Sequence, residues 1–203
     1  QNVKLIIVAC NTASSLAFKS LTKKFNIPII DVITPIKHSV IQSPKINKIG
    51  VIGTHNTIQS NAYFRTLKDV NNKLDIIQQA CPLFVPIIEE GLQDDLIAHL
   101  AIKKYLTSLI HYNIDLLILG CTHYPLLKDS IKKNIPQNIQ ILDSANATSN
   151  YLKNYLQKKK LSCLQKTNKD RIIITDEAKN FEALAHRILN KTNIVLEILN
   201  ITQ

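Results

Sequence analysis

The chain predicts an α/β fold, a parallel sheet with helices on its faces, and three observations carry that expectation. Apolar stretches of strand length alternate with helical patterns almost throughout. No low-complexity linker interrupts the alternation. Two segments in different halves of the chain also match in kind: Leu5-Ile6-Ile7-Val8-Ala9-Cys10-Asn11-Thr12-Ala13 and Leu116-Leu117-Ile118-Leu119-Gly120-Cys121-Thr122-His123-Tyr124-Pro125. Each is a buried-type apolar run that ends in a small residue, a cysteine and then short polar groups suited to a helix start. A strand that hands over to a helix N-terminus is where α/β proteins place chemistry. Two such thiols suggest two groups facing one substrate.

Taken in order, Lys4–Ala9 reads as a strand and Thr12–Phe25 as a helix with Leu16, Phe18 and Leu21 available for one face. Ile27–Val32 is a short strand, and Thr34-Pro35 suits a helix start, with threonine as cap and proline in the first turn. Ile49–Ile52 is a strand closing on Gly53-Thr54, followed by a helix near Thr57–Val70. Leu74–Gln79 leads into Cys81-Pro82, and Gln93–His111 is a long helix carrying Leu96, Ile97, Leu100, Leu106, Leu109 and Ile110. Strand Ile114–Leu119, helix Tyr124–Lys133, strand Ile139–Leu142 and helix Ala147–Lys160 follow. The last part adds strand Arg171–Thr175, helix Ala178–Asn190 and strand Ile194–Leu199.

A chain of 203 residues can bury a sizeable core, and 45% apolar with 20% charged residues is an ordinary globular balance. No apolar stretch approaches the roughly 18 residues of a membrane helix, and the N-terminus lacks the form of a signal peptide. The four cysteines (Cys10, Cys81, Cys121, Cys163) show no C-x-x-C spacing, so neither a zinc ribbon nor a dithiol redox motif is expected. Free thiols in a reducing cytoplasm, with no metal, are the expectation. The net charge of +10 invites a nucleic-acid reading, but most lysines are scattered in pairs. Only Lys158, Lys159 and Lys160, followed by Lys166, Lys169 and Arg171, form a cluster, and with few aromatics among them they read as a solvated helix end. The chain starts at Gln1 and contains no methionine, so a fragment or processed chain is expected.

Four segments together carry a family resemblance. They are Ile7-Val8-Ala9-Cys10-Asn11-Thr12-Ala13-Ser14, Val51-Ile52-Gly53-Thr54, Ala80-Cys81-Pro82-Leu83-Phe84-Val85-Pro86 through Glu89-Glu90-Gly91, and Leu119-Gly120-Cys121-Thr122-His123-Tyr124-Pro125-Leu126-Leu127. In this order and approximate spacing they resemble the glutamate racemases of the aspartate/glutamate racemase superfamily. The likeness runs to about Leu142-Asp143-Ser144 and more loosely beyond. The Thr-His-Tyr-Pro continuation favours glutamate over aspartate racemases.

The resemblance implies two pseudosymmetric, doubly wound parallel-sheet lobes, the first from residues 1–33 with 144–203 and the second from 34–143, with substrate in the cleft. It implies a cofactor-independent enzyme interconverting L- and D-glutamate, which supplies D-glutamate for bacterial peptidoglycan. Inverting a Cα centre needs two acid/base groups on opposite faces, and Cys10 and Cys121 suit that role. A thiol pKa of roughly 8.5 can be drawn down at a helix N-terminus. Asn11, Thr12 and Thr122 are short polar groups able to hold a substrate carboxylate, and His123 can orient or tune the second thiol. By resemblance, Thr54 and Thr57 add hydrogen bonds at the cleft, and Glu90, or its neighbour Glu89, assists the second half-site. Glutamate is the expected partner, without nucleic acid or membrane, and a homodimer is left open.

Blander roles are expected elsewhere. Cys81, followed by Pro82 and an apolar run, reads as structural and Cys163 as incidental. His38, His55, His99, His111 and His186 read as surface or satisfied core groups, and Asp143-Ser144 as a strand end and helix cap. Thr12 and Thr122 could equally be helix caps. Glutamate racemases also carry an Asp-Ser-Gly and a Pro-Tyr-Gly segment before the first cysteine, and neither is present here. The first lobe is therefore expected to be incomplete, with apolar sheet exposed. An inactive remnant is the alternative reading, and a basic module at Lys158–Lys160 that contacts nucleic acid a remoter one.

Overall fold

The computed structural model of the chain describes residues 3–162, 171–176, 181, 185, 188–189 and 196–200. These belong to two compact units, Gln1–Leu161 and Ser162–Gln203. Among the described residues every strand pair is parallel, as the alternation of elements predicts.

The first unit opens with β1 (Ile6–Val8), α1 (Asn11–Lys24), β2 (Ile29–Asp31) and α2 (Thr34–Ile41). β1 and β2 form a two-stranded sheet with Ile6 opposite Ile29. There follow β3 (Lys48–Gly53), α3 (His55–Gln59), α4 (Ala62–Lys68), β4 (Asp75–Ala80), α5 (Phe84–Glu89) and α6 (Leu96–His111). β5 (Leu116–Gly120), a 3-10 helix (Tyr124–Leu127), α7 (Lys128–Asn134), β6 (Gln140–Asp143) and α8 (Ser144–Lys158) complete it.

The larger sheet has the order β4-β3-β5-β6. Its central strand β5 is buried at every residue, which is why Leu116–Gly120 reads as a continuous apolar run without alternation. Leu117 and Leu119, with Ile52, pack on one side against α5, α6, the 3-10 helix and α7. Leu116 and Ile118, with Ile49 and Val51, pack on the other against α2, α4 and Ala147 of α8. Helices on both faces make this sheet doubly wound. From β3 the chain passes to β4 on one side and then crosses to β5 on the other, so the order reverses at β3, and such a switch point opens a crevice at the carboxyl ends of the strands. Gly53 and Gly120 are register partners there.

Several boundaries differ from the expectation, each for a local reason. The helix expected near Thr57–Val70 is two helices, because Asn61 adopts a left-handed backbone (φ 53°) and Ser60 bridges the break. The Ser60 hydroxyl donates to Thr57 O (2.6 Å) and accepts from Ala62 N (3.2 Å). α6 starts at Leu96 rather than Gln93, since the Asp95 carboxylate caps it by accepting from Ile97 N at 3.0 Å. Its buried stripe is Ala98, Ala101, Ile102, Leu106 and Leu109, while Leu96, Ile97 and Leu100 stay exposed. α2 begins at Thr34, but Asp31 supplies its capping carboxylate, accepting from Ile33 N (2.7 Å), Thr34 N (2.5 Å) and the Thr34 hydroxyl (2.9 Å). α5 was not legible in the sequence, and it tolerates Pro86 because the first turn of a helix leaves its N–H groups without helical partners.

α8 begins at Ser144, not Ala147, with Asp143 as its cap. Asp143 accepts from Asn146 N at 2.8 Å and pairs with Lys128 Nζ at 2.9 Å. Burial works to raise the Asp143 pKa, but the Asn146 N–H and the Lys128 ammonium hold it below the usual carboxylate range. α8 ends at Lys158, with Lys159 and Lys160 exposed just past it, a solvated helix end where cations meet the negative dipole terminus. Around the two-stranded sheet, Val3, Ile7, Leu16 and Phe25 are exposed. Among the described residues no helix is long and apolar enough to cross a membrane.

In the second unit, β7 (Ile172–Ile174) pairs in parallel with β8 (Leu196–Ile198), and Arg171 forms an ion pair with Glu197. Phe181, Ala185, Ile188 and Leu189 are helical. The remainder of the helix expected over 178–190 lies outside the described residues, as do Cys163, Lys166, Lys169 and His186.

Candidate active site

β1 ends at Val8, and Cys10 follows as the N-cap of α1 in an extended conformation (φ −82°, ψ 126°). Its carbonyl accepts from Ser14 N at 2.8 Å, which closes the first helical turn. The exposed Cys10 side chain therefore stands at the N-terminus of a helix, whose first N–H groups lack helical partners, but it makes no capping hydrogen bond to them. Thr12 is a residue of the first turn rather than a cap. Its hydroxyl lies 2.9 Å from that of Thr54 and 3.2 Å from that of Thr57, and those two are 2.9 Å apart. Thr54 caps α3, so the triangle of hydroxyls joins the N-termini of two helices.

Asn11 is turned inward, 2% exposed. Its Oδ1 accepts from the Tyr63 hydroxyl at 2.6 Å, and its Nδ2 donates to Ser144 Oγ at 3.1 Å. That leaves the second amide N–H without a partner among the described residues.

Cys121 follows β5 directly and is buried. No regular helix starts there; a turn leads to the 3-10 helix, whose Tyr124 N–H donates to Cys121 O at 3.2 Å. Thr122 accordingly lies in the turn and caps no helix. Burial pushes the Cys121 thiol up, opposed by the N–H groups of His123 and Tyr124 and the Thr122 hydroxyl, which face the sulfur. Cys10 lies near enough for its charge to add to the rise.

His123 Nδ1 is 4.0 Å from Cys121 Sγ and 3.5 Å from Thr122 Oγ1. Its other nitrogen, Nε2, is 3.3 Å from the Glu89 carboxylate. Of the two adjacent carboxylates it is thus Glu89 that meets His123. Glu90, one residue on, is the C-cap of α5 and makes no such contact among the described residues.

Cys81 differs from both. It is fully buried, its thiol faces Gln79 O at 3.7 Å, and burial pushes its pKa far up. It packs in one cluster with Phe84 and Tyr124, whose hydroxyl donates to Cys81 O at 3.0 Å. Among the other histidines, His38 packs on Tyr151 and His99 bonds Asn134, while His55 and His111 are exposed. Among the described residues no group of three His, Cys, Asp or Glu could hold a metal ion.

Sequence reasoning missed Tyr63, which is fully buried on α4. A Cβ placed on Gly120 would sit 2.9 Å from its ring and 2.8 Å from Ile52 O. The glycine before Cys121 is thus required by the ring and strand beside it. The only signal in the chain is a strand-end glycine with a large aromatic residue elsewhere to fill its place, which sequence does not pair.

The family described as Asp/Glu/Hydantoin racemase matches residues 1–152. Glutamate racemase from Sulfurihydrogenibium sp. is 48% identical over 188 residues, covering 93% of this chain and 70% of that protein. Glutamate racemase from Persephonella marina is 46% identical over 201 residues, covering 99% and 74%. Among solved structures, a glutamate racemase isoform from Bacillus anthracis superposes with a TM-score of 0.92 at 37% identity, over 98% of this chain and 74% of that one. Glutamate racemase from Francisella tularensis, in complex with D-glutamate, does so with a TM-score of 0.89 at 37% identity and the same coverage. Together with the two converging thiols, these likenesses establish that the chain belongs to the Asp/Glu/Hydantoin racemase family, and the relatives it matches are glutamate racemases, which are isomerases.

Proposed function

We propose that the chain interconverts L- and D-glutamate by proton transfer between two thiols, without a cofactor. The observation that carries this reading is the convergence of Cys10 and Cys121 from separate strand ends, within electrostatic reach of one another, with N–H donors facing the Cys121 sulfur and Cys10 at the N-cap position of α1. One thiolate takes the Cα proton, the C–H electron pair stays on carbon and spreads into the carboxylate, and the opposing S–H delivers its proton to the other face. The reverse reaction exchanges the roles.

The carboxylate, where charge accumulates, is received by the first-turn N–H groups of α1, the free N–H of Asn11 and the hydroxyls of Thr12, Thr54, Thr57 and Thr122. Burial keeps Cys121 in its thiol form until His123, oriented by Glu89, takes up its proton. We assign the assisting carboxylate to Glu89 rather than Glu90. The reading includes a lobe of residues 34–143 and another of 1–33 with 144–203, and a role in supplying D-glutamate for peptidoglycan in the bacterial cytoplasm. The bacterial sources of the relatives support that role.

A folded but inactive member is the second reading, favoured by the exposure of Val3, Ile7, Leu16 and Phe25 around the sheet that carries Cys10. Solvent-deuterium incorporation separates the two. Deuterium at Cα, with interconversion of L- and D-glutamate, is the expected result. A chain folded by circular dichroism that gives neither would sink the racemase reading.

A further inference from the structure

We infer that Tyr63 is a positioning residue that sets the two thiol-bearing segments against one another; this rests on the two-thiol reading above. Its ring fills the space that the missing side chain of Gly120 leaves open, directly before Cys121. Its hydroxyl reaches the other segment and donates 2.6 Å to Oδ1 of Asn11, the residue after Cys10. The Asn11 amide is held at its other end by Ser144 Oγ (3.1 Å), so it cannot flip without losing both bonds. Ser144 in turn opens α8 at the end of β6. One rigid phenol thus ties together the carboxyl ends of β1, β5 and β6.

The hydroxyl separates this role from plain core packing. A core ring on Gly120 needs no oxygen, whereas this one is fully buried and bonds a residue 52 positions away. Inversion at one carbon requires both sulfurs aligned on opposite faces, and a misplacement of about 1 Å can cost on the order of a hundredfold in rate.

Tyr63→Phe keeps the ring on Gly120 and removes only the donor to Asn11. The expected result is a fall in kcat of about tenfold to a hundredfold with KM changed by less than about threefold. The isotope pattern should change for one enantiomer only. Where Cys121 removes the proton and a misaligned Cys10 fails to return one, the carbanion is re-protonated from the original face by a solvent-exchanged thiol. Deuterium then accumulates in recovered substrate without inversion. Unchanged kinetics, or an equal loss of exchange and inversion for both enantiomers, would overturn the proposal.

A readout independent of turnover is the ratio of Cys10 to Cys121 alkylation by iodoacetamide, measured by peptide mass spectrometry. Tyr63→Phe should change it by about threefold, as the freed first turn shifts the already exposed Cys10 relative to Cys121; an unchanged ratio overturns the proposal. If the wild-type chain exchanges no deuterium, the racemase reading falls, and the alkylation ratio alone judges Tyr63. If Tyr63→Phe does not fold, Asn11→Ala removes the acceptor of the same hydroxyl, and an unchanged ratio there also overturns the proposal.

Discussion

Cys10 and Cys121 end similar apolar runs and precede similar polar residues, yet they sit in unlike surroundings. Cys10 caps a regular helix beside a two-stranded sheet and is exposed. Cys121 closes the central strand of a sheet covered on both faces, is buried, and meets its donors in a turn ahead of a 3-10 helix. The difference teaches that a local pattern marks where a thiol falls along the chain, whereas its environment comes from what packs around the strand end. Of the two, only Cys121 has, among the described residues, a histidine and carboxylate in line behind it.

The largest effect tests what the two segments share. Cys10→Ala and Cys121→Ala should each lower racemisation by about a thousandfold or more, since each removes one of two obligatory proton carriers. Substantial turnover in either, followed by polarimetry from both enantiomers, breaks the pairing. Next comes what Cys121 has and Cys10 lacks. Glu89→Gln should lower kcat by about tenfold, because it releases His123, while Glu90→Gln changes it by less than about twofold. Equal losses would erase the distinction between the two carboxylates.

A third test sets Cys81 against both thiols. Cys81→Ala should cost about 1–2 kcal/mol in urea unfolding and leave kcat intact. Inactivation of a folded variant would contradict its packing role.

The smaller effects are pH-dependent. Burial favours the neutral form of Cys121, so its alkylation should develop above the ordinary thiol midpoint of about 8.5; complete labelling near neutrality would break the buried half of the comparison. Asp143 is held below its unfolded pKa, so its contribution to stability is present above about pH 4 and is lost as pH falls through its folded value. Acid unfolding followed by circular dichroism should therefore flatten in Asp143→Asn. An unchanged acid limb would remove Asp143 and its ion pair with Lys128 from the forces holding β6 to α7.

Much of this architecture was legible beforehand, for a physical reason. Strand runs such as Leu116–Leu119 and strand-to-helix handovers such as Ala9-Cys10-Asn11 are short-range patterns, which can be read without knowing what packs against them. The failures share a cause as well. α5 follows Pro82 and carries Pro86 in its own first turn, the break at Asn61 depends on one left-handed residue, and Asp31 caps a helix from three residues upstream of Thr34. Leu96, Ile97 and Leu100 follow a helical period, yet the core takes the opposite stripe, because the sheet's position chooses the face. Between Glu89 and Glu90 nothing local discriminates. Only the end of α5, seen against the turn after β5, brings one of them to His123.

By itself, then, the sequence determined the strand–helix alternation, the parallel habit of the sheets and the two strand ends where thiols emerge, since these follow from residue spacing and local propensity. Only the tertiary structure decided which side chains meet. Asn11 finds Tyr63 across 52 positions and Ser144 across 133. Such contacts exist because the ends of β1, β5 and β6 are brought together by packing, whose free energy belongs to the whole core and to no segment of the chain.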